Sequence, residues 1–452
     1  MASPHAIIIP CPEHGHIIPL IALSHSLVAH GFRITFINSE FNHERVVASL
    51  SQNGGDGVEG MHMVSFPDGL APGEDRNTFK KKIEGIVRVM PGCLEELIKQ
   101  IRSDRVTCII ADGTMGWALE VAQKMGIRSV AFWPMSATLL ALFLSIPKMI
   151  QDGIIGADGM PERSETFQLS PDIPSMNTSQ LPWNCAGDHD PERFLFKLIS
   201  SNNQSMQLAE TIICNSFYEL ESPSFTLFPN LLPVGPLLTS QQFGTAVGHF
   251  CQVDTTCMSW LDEKPANSVI YVAFGSVAVF NQHQFKELAL GLELSGHPFL
   301  WVVRHNLTDG IDDAWFNGFR DRVKGQGLLV GWSPQQQVLA HPSIACFFFH
   351  CGWNSTLEGT KNGVPFLCWP SFIDHFLSRT YICDVWKIGL SIDPDDKGFV
   401  PREQIKKKVD QIFGNEEMKA RALVWKDIAN RCTKEGGSSY KNFKSFVDAM
   451  KE

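Results

Sequence analysis

The sequence predicts an α/β protein made of two doubly wound, parallel-sheet domains that face a cleft. Three observations carry that prediction. Short, uniformly apolar runs such as AIIIP and VTCIIAD recur where a half-exposed strand would alternate, as parallel strands covered on both faces require. Helical stretches that end at glycine separate them. The rhythm fades before Pro236 and restarts at SVIYVAFGS, and 452 residues are too many for one compact core.

The N-terminal domain is expected over 1–236. It opens with the strand AIIIP, passes through a loop from Cys11 to His16, and continues as an apolar-striped helix over Ile17 to His30 that Gly31 stops. FRITFIN is the next strand. A second cycle runs from VTCIIAD (Val106 to Asp112) through a helix over Trp117 to Met125, ended by Gly126, to SVAFW. From Gln151 to Pro236 the pattern is less regular, with one strand-like run at Thr211 to Phe217. Residues 237–253 hold no sustained period and read as a linker. The C-terminal domain, 254–435, alternates SVIYVAFGS, a helix over Gln282 to Ser295, PFLWVV, GLLVGW, IACFFFH, a helix from Asn354 or Ser355, PFLCWP, a helix from Asp374, and GLSID. Residues 436–452 are expected to form a helix that packs back on the N-terminal domain. No repeat of solenoid or propeller length is present.

Composition narrows the partners. Lys and Arg number 38 against 48 Asp and Glu, a formal charge of −10, the wrong sign for a surface that neutralises nucleic-acid phosphates. Twelve cysteines form no C-x-x-C pair, and MASPHAIIIP has neither the basic stretch nor the apolar core of a secretory signal, so reduced thiols in a cytoplasmic protein are expected. The sequons at Asn177, Asn203, Asn306 and Asn354 therefore carry no weight. The uncharged stretch from Ser129 to Pro147 could span a membrane by count alone, but Pro134 divides it into a strand and a buried helix, so no integral membrane association is expected.

Ligands in doubly wound folds bind at the carboxyl edges of the sheets. His16 falls at such an edge, at the start of the first helix, where the helix dipole disfavours an imidazolium and leaves a neutral ring able to act as a base. A capping histidine is the plain alternative. Asp112 ends a strand at the same edge and could hold that imidazole in one tautomer, or could simply cap the following helix. In the other domain IACFFFH turns through Gly352 into a helix whose N–H groups suit a phosphate, with His350 just before it and Ser276 at another strand end. Ser355 to Glu358 also reads as a capping box, S-x-x-E, which competes for the Glu358 carboxylate. Gly55 to Gly60 matches the dinucleotide fingerprint but lacks the flanking strand and helix, and His14 with His16 lacks further ligands. A nicotinamide enzyme and a metal site are both set aside.

The stretch WSPQQQVLAHPSIACFFFHCGWNSTLEGTKNGVPFLCWPSFIDH, Trp332 to His375, closely resembles the box that marks plant UDP-dependent glycosyltransferases of secondary metabolism. PCPEHGHIIPL resembles that family's opening motif, and PHAIIIPCP, FINSEFNH and ADGTMGWALEVA resemble its subgroup numbered eighty-three. The resemblance covers essentially the whole chain. It implies a GT-B fold with the acceptor held by the N-terminal domain and UDP-sugar, a cosubstrate, by the C-terminal one; no cofactor and no metal are implied. By the same resemblance Trp332 stacks on uracil with Gln335 nearby, Glu358 binds the ribose, and His350, Ser355 and Ser276 hold the diphosphate. Trp353, Asn354, Asp374 and His375 line the sugar, and His16 with Asp112 form the catalytic pair.

The activity so implied is metal-independent, inverting transfer of a hexose, glucose first, to a hydroxyl of a small lipophilic acceptor such as a flavonoid, phenol or terpenoid, by a monomer. Two departures from the family pattern bear on this. His375 replaces a usual glutamine and leaves UDP-galactose or a UDP-pentose as alternative donors, while His14 stands where glutamine is usual. Trp353 in place of a basic residue argues against UDP-glucuronate. Transfer to carbon of a phenolic ring is a further alternative, and a non-catalytic UDP-sugar binding protein would lack the His16 and Asp112 pair. AFWPMSATLLALF, with Trp133, is a candidate acceptor wall that would serve equally as core.

Overall fold

The computed structural model describes residues 3–45, 60–71, 73–76, 78–101, 106–184, 189–238, 254–276, 278–304, 307–308, 310, 312–371 and 374–451. The fingerprint-like residues 55–59, most of the expected linker (239–253) and Asn306 lie outside the described residues. The chain divides into two units, Met1–Cys251 with Cys432–Glu452, and Gln252–Arg431.

The first unit is organised by strands β1 (His5–Ile9), β2 (Arg33–Ser39), β3 (Met61–Phe66), β4 (Cys108–Asp112) and β5 (Arg128–Trp133), with a short antiparallel pair β6 (Thr166–Phe167) and β7 (Met176–Asn177), then β8 (Thr211–Cys214) and β9 (Leu231–Pro233). Seven of them make one sheet in the order β3-β2-β1-β4-β5-β8-β9. All its pairings are parallel, which is why β1 and β4 are buried along their whole length and, apart from His5 at the start of β1 and Asp112 at the end of β4, apolar. Helices α1 (His14–Ala29), α2 (Phe79–Gln100), α3 (Gly116–Met125), α4 (Ala137–Leu144) and α5 (His189–Met206) connect or cover the strands. On one face Ile8, Phe36, Ile110 and Phe132 of the sheet pack with Ile17, Leu20 and Leu27 of α1. The same cluster includes Phe446, Val447 and Met450 of the terminal helix Ser438–Lys451. Polar contacts fix that helix, with Asn442 donating to the Pro233 carbonyl at 2.9 Å and Arg128 donating to the Ala449 carbonyl at 2.8 Å. The chain rejoins this unit at Cys432, four residues before the boundary expected from sequence.

The second unit holds β10 (Val269–Ala273), β11 (Phe299–Val302), β12 (Gly327–Val330), β13 (Ile344–Phe349), β14 (Phe366–Cys368) and β15 (Gly389–Ser391) in a parallel sheet of order β12-β11-β10-β13-β14-β15. Its helices include α6 (Gln282–Ser295), α7 (Gln335–Ala340), α8 (Trp353–Asn362), α9 (His375–Thr380) and α10 (Arg402–Phe413). Phe285, Leu288 and Leu292 of α6 and Ile405, Val409 and Ile412 of α10 cover one face of the sheet. Gly291 lets these two helices approach closely, since a Cβ there would stand 2.8 Å from the Ile405 Cβ.

Candidate active site

In the first unit β1 and β4 are neighbours in register, Ile9 opposite Ala111, so the loop leaving β1 and the last residue of β4 meet at one sheet edge. Helix α1 begins at His14, earlier than the Ile17 start expected from sequence, because the Glu13 carbonyl already accepts the N–H groups of His16 (2.9 Å) and Ile17 (3.0 Å). His16 therefore stands inside the first turn. Its Nδ1 lies 2.8 Å from Asp112 Oδ2, with the histidine side chain 17% exposed and the aspartate fully buried. That contact places the ring proton on Nδ1 and leaves Nε2 as the basic nitrogen. Asp112 Oδ1 in turn accepts the Thr114 N–H at 2.9 Å and the Thr114 hydroxyl at 2.6 Å. Lys82 of α2 pairs with Glu13 at the start of α1. The adjacent Cys11 is held as a thiol, its pKa pushed well up by burial and then by the charges of Asp112 and Glu13.

A small hollow of about 10 Å³, room for little more than a water molecule, lies at the carboxyl ends of β1 and β2, lined by Ile9, Pro12, Ile37, Ile86, Met90 and Met115 together with Asn38 and Ser39. The expected acceptor wall is elsewhere and is core instead. Trp133 is 1% exposed, its indole N–H donates to the Ser136 carbonyl at 2.8 Å, and its ring meets Phe143 edge-on at 5.7 Å. Ala137 to Leu142 are buried with it, and of this run only Met135 is half-buried.

In the second unit the turn after β13 enters α8 with Gly352 as N-cap and Trp353 as first residue. The capping box at Ser355 to Glu358 is therefore not formed. Ser355 and Glu358 face α7 instead, where Gln335 donates to Ser355 Oγ at 2.9 Å and to Glu358 Oε2 at 2.7 Å, and Gln336 donates to Glu358 Oε1 at 3.1 Å. Burial raises the Glu358 pKa and these two amides partly offset it. Tyr271 of β10, which sequence reasoning did not single out, completes the group: its hydroxyl lies 2.9 Å from Ser333 Oγ and donates to Gln335 Oε1 at 3.2 Å. Trp332 is half-buried just before α7, and Ser276 is exposed in the turn after β10.

His350 sits in a cradle of glycines. A Cβ on either Gly275 or Gly352 would stand 2.5 Å from its Nε2, so only glycine leaves room for the ring. Burial lowers the His350 pKa to about 4, against a smaller upward effect of the Ala273 backbone. His375 meets it edge-on, ring centroids 4.8 Å apart, with its Nδ1 3.1 Å from Ser371 Oγ and its pKa pushed well down, by burial first and by His350 second. Both rings are neutral at pH 7. Asp374 holds the N-cap position of α9, and Asn354 is half-buried in the first turn of α8. The Trp353 indole does not line an open site. It is 2% exposed and packs toward Trp386, 6.4 Å between centroids, so its contribution to the helix start is its backbone.

Among the described residues no group of three or more His, Cys, Asp or Glu side chains is placed to hold a metal ion, and no helix is long and apolar enough to cross a membrane.

The sequence profile of the family described as UDP-glucoronosyl and UDP-glucosyl transferase matches residues 194–389. UDP-glycosyltransferase 83A1 of Arabidopsis thaliana is 42% identical, the alignment covering 100% of this chain and 97% of that one. (R)-mandelonitrile beta-glucosyltransferase of Prunus dulcis is 33% identical, covering 99% and 97%. Among solved structures, Phytolacca americana UGT2 complexed with UDP-2fluoro-glucose and pterostilbene superposes with a TM-score of 0.81 at 26% identity, covering 99% of each chain. Two parallel-sheet units and this likeness define a glycosyltransferase of the GT-B fold. The chain belongs to the plant UDP-glycosyltransferases of family 1, subgroup eighty-three included, and is a transferase.

Proposed function

We propose that the protein moves glucose from UDP-glucose to a hydroxyl of a small lipophilic acceptor, a flavonoid, phenol or terpenoid alcohol, with inversion and without a metal ion. The hydrogen bond between His16 and Asp112 carries this reading, because it supplies an oriented base on the sheet edge. The names of two similar proteins support its detail: one transfers glucose with β-linkage to a cyanohydrin, and the other was solved with a phenolic stilbene.

His16 Nε2 takes the proton of the acceptor hydroxyl as that oxygen attacks the anomeric carbon. The bond from that carbon to the UDP oxygen breaks on the opposite face, and UDP leaves with the electron pair, so an α-linked donor gives a β-glycoside. The proton ends on His16, and Asp112 stabilises the imidazolium. Trp332, Gln335 and Glu358 are assigned to the nucleoside. Ser276, His350, Ser355 and the first turn of α8 meet the charge that gathers on the departing diphosphate. Asn354, Asp374 and His375 are assigned to the sugar, and the acceptor to the N-terminal unit that carries His16. A cytoplasmic setting is part of the same reading. The enzyme is taken to act as a monomer, which sedimentation at the mass of one chain tests.

The test of function is UDP release by purified protein offered UDP-glucose, UDP-galactose, UDP-xylose or UDP-arabinose against flavonoids, simple phenols and terpenoid alcohols. Turnover is expected with UDP-glucose and should fall ~10²–10⁴-fold in His16→Ala. Undiminished turnover in that variant contradicts the base. Preference for another sugar contradicts the glucose assignment and makes His375→Gln the next variant. An acid-stable carbon-linked product contradicts transfer to oxygen.

A further inference from the structure

The segment after Asp112 is fastened at more points than a strand-to-helix turn needs. Gly113 donates its N–H to the Phe132 carbonyl at 2.8 Å, and Met115 donates to the Asp112 carbonyl at 2.8 Å. From α5, Asn202 grips the turn twice, its Nδ2 donating to the Thr114 carbonyl at 3.0 Å and its Oδ1 accepting the Gly116 N–H at 3.2 Å. The turn lies so close to α5 that a Cβ on Gly116 would stand 2.7 Å from the Ser205 Cβ, and one on Gly113 would stand 2.9 Å from Met206 Sδ. Thr114, held in this way, directs its N–H and its hydroxyl at the same atom, Asp112 Oδ1. A carboxylate has two equivalent oxygens and a soft torsion. With Oδ1 occupied by two donors at 2.9 and 2.6 Å, Oδ2 is the oxygen left to face His16 Nδ1 at 2.8 Å.

We propose that Thr114, mounted on Asn202, is a positioning residue for catalysis: it fixes the rotation of Asp112 and through it the tautomer of His16. The proposal rests on the reading of His16 as the base. Thr114 touches neither His16 nor a substrate in this role; it removes the freedom of Asp112 to turn Oδ2 away, and so keeps the His16 lone pair on Nε2.

Thr114→Val keeps the shape and the backbone N–H and deletes the hydroxyl donor, whereas Thr114→Ser keeps the donor. With UDP-glucose and whichever acceptor of the panel turns over best, Thr114→Val should lower kcat roughly tenfold, with KM for UDP-glucose unchanged. Thr114→Ser should stay within about twofold of the parent protein. In an Asp112→Asn background Thr114→Val should cost less than about twofold, because the residue it orients is already disabled. An equal loss in both backgrounds would mean a structural role and overturn the proposal. If Asp112→Asn itself costs nothing, the base reading fails; if it costs and Thr114→Val does not, only this proposal fails. A second readout needs no acceptor. In protein labelled with ¹⁵N-histidine, His16 should be the Nδ1–H tautomer at pH 8 in the parent and in Thr114→Ser, and a mixture in Thr114→Val. An unchanged tautomer in Thr114→Val overturns the proposal.

Discussion

His16 and His350 each come after the carboxyl end of a parallel strand and stand beside the start of a helix, yet their surroundings differ in charge. His16 has a buried carboxylate 2.8 Å from Nδ1 and keeps 17% of its side chain open. His350 has a second imidazole, His375, edge-on at 4.8 Å, two glycines against Nε2, and a pKa lowered to about 4. The first arrangement stabilises a proton once it arrives; the second keeps both rings neutral. A neutral histidine can donate a hydrogen bond to a diphosphate without competing for its proton, while a histidine beside a carboxylate can accept one and hold it. In the proposed reaction one residue type thus serves base chemistry in one unit and binding in the other, and the neighbours decide which.

Replacing Asp112 by Asn attacks this contrast most strongly. The amide presents a donor where the carboxylate accepted, favours the wrong tautomer, and should lower kcat by ~10²–10⁴-fold while UDP affinity holds, as turnover and calorimetry together would show. Glu358→Gln tests the other side. It removes the charge to which the ribose hydroxyls are assigned, so UDP affinity should fall about 10–100-fold by calorimetry, with kcat at saturating donor little changed. Gly352→Ala places a Cβ 2.5 Å from His350 Nε2 and must move the ring. A loss of about 1–3 kcal/mol is expected, read as a fall in Tm of several degrees with weakened UDP binding.

The smallest effect concerns pH. His350 and His375 both have folded pKa values below the ordinary histidine value of 6.5, so the unfolded chain binds more protons than the folded one as pH falls below 6.5, for His350 through the interval down to about 4. Their contribution to stability is complete above about pH 6.5 and is lost as the pH falls below it. Glu358, raised by burial, works in the opposite direction as pH climbs above its ordinary 4.5. His375→Gln removes one of the two imidazoles, and the drop in Tm between pH 7 and pH 5 should shrink by about 1–2 °C. A drop of unchanged size would mean that the pair does not sense acid.

Particular residues explain what the sequence could reveal and what it could not. Runs such as AIIIP and IACFFFH announce themselves because parallel strands are apolar on both faces. The same uniformity hides direction. Trp133 and the run after it look alike as pocket wall or core, and only the buried indole bound to the Ser136 carbonyl decides for core. Trp353 misleads in a related way, since its place in a helix start is readable while the side of the helix it faces depends on Trp386, more than thirty residues on. Ser355 and Glu358 fit a capping box by spacing, but the helix starts at Trp353, and Gln335 and Gln336 take the carboxylate from another helix. Tyr271 carried no signal, being one more large residue in a buried strand. Thr114 carried a faint one, because Asp with Thr two residues later is the pattern of a local side-chain turn.

Proton chemistry in one unit and UDP binding in the other should be separable by mutation. Turnover and UDP affinity are therefore to be measured together in His16→Ala and Glu358→Gln. His16→Ala is predicted to lose ~10²–10⁴-fold in kcat with an unchanged Kd for UDP, and Glu358→Gln to lose UDP affinity with kcat largely kept. Loss of UDP binding in His16→Ala, or full activity in it, would contradict that division of labour.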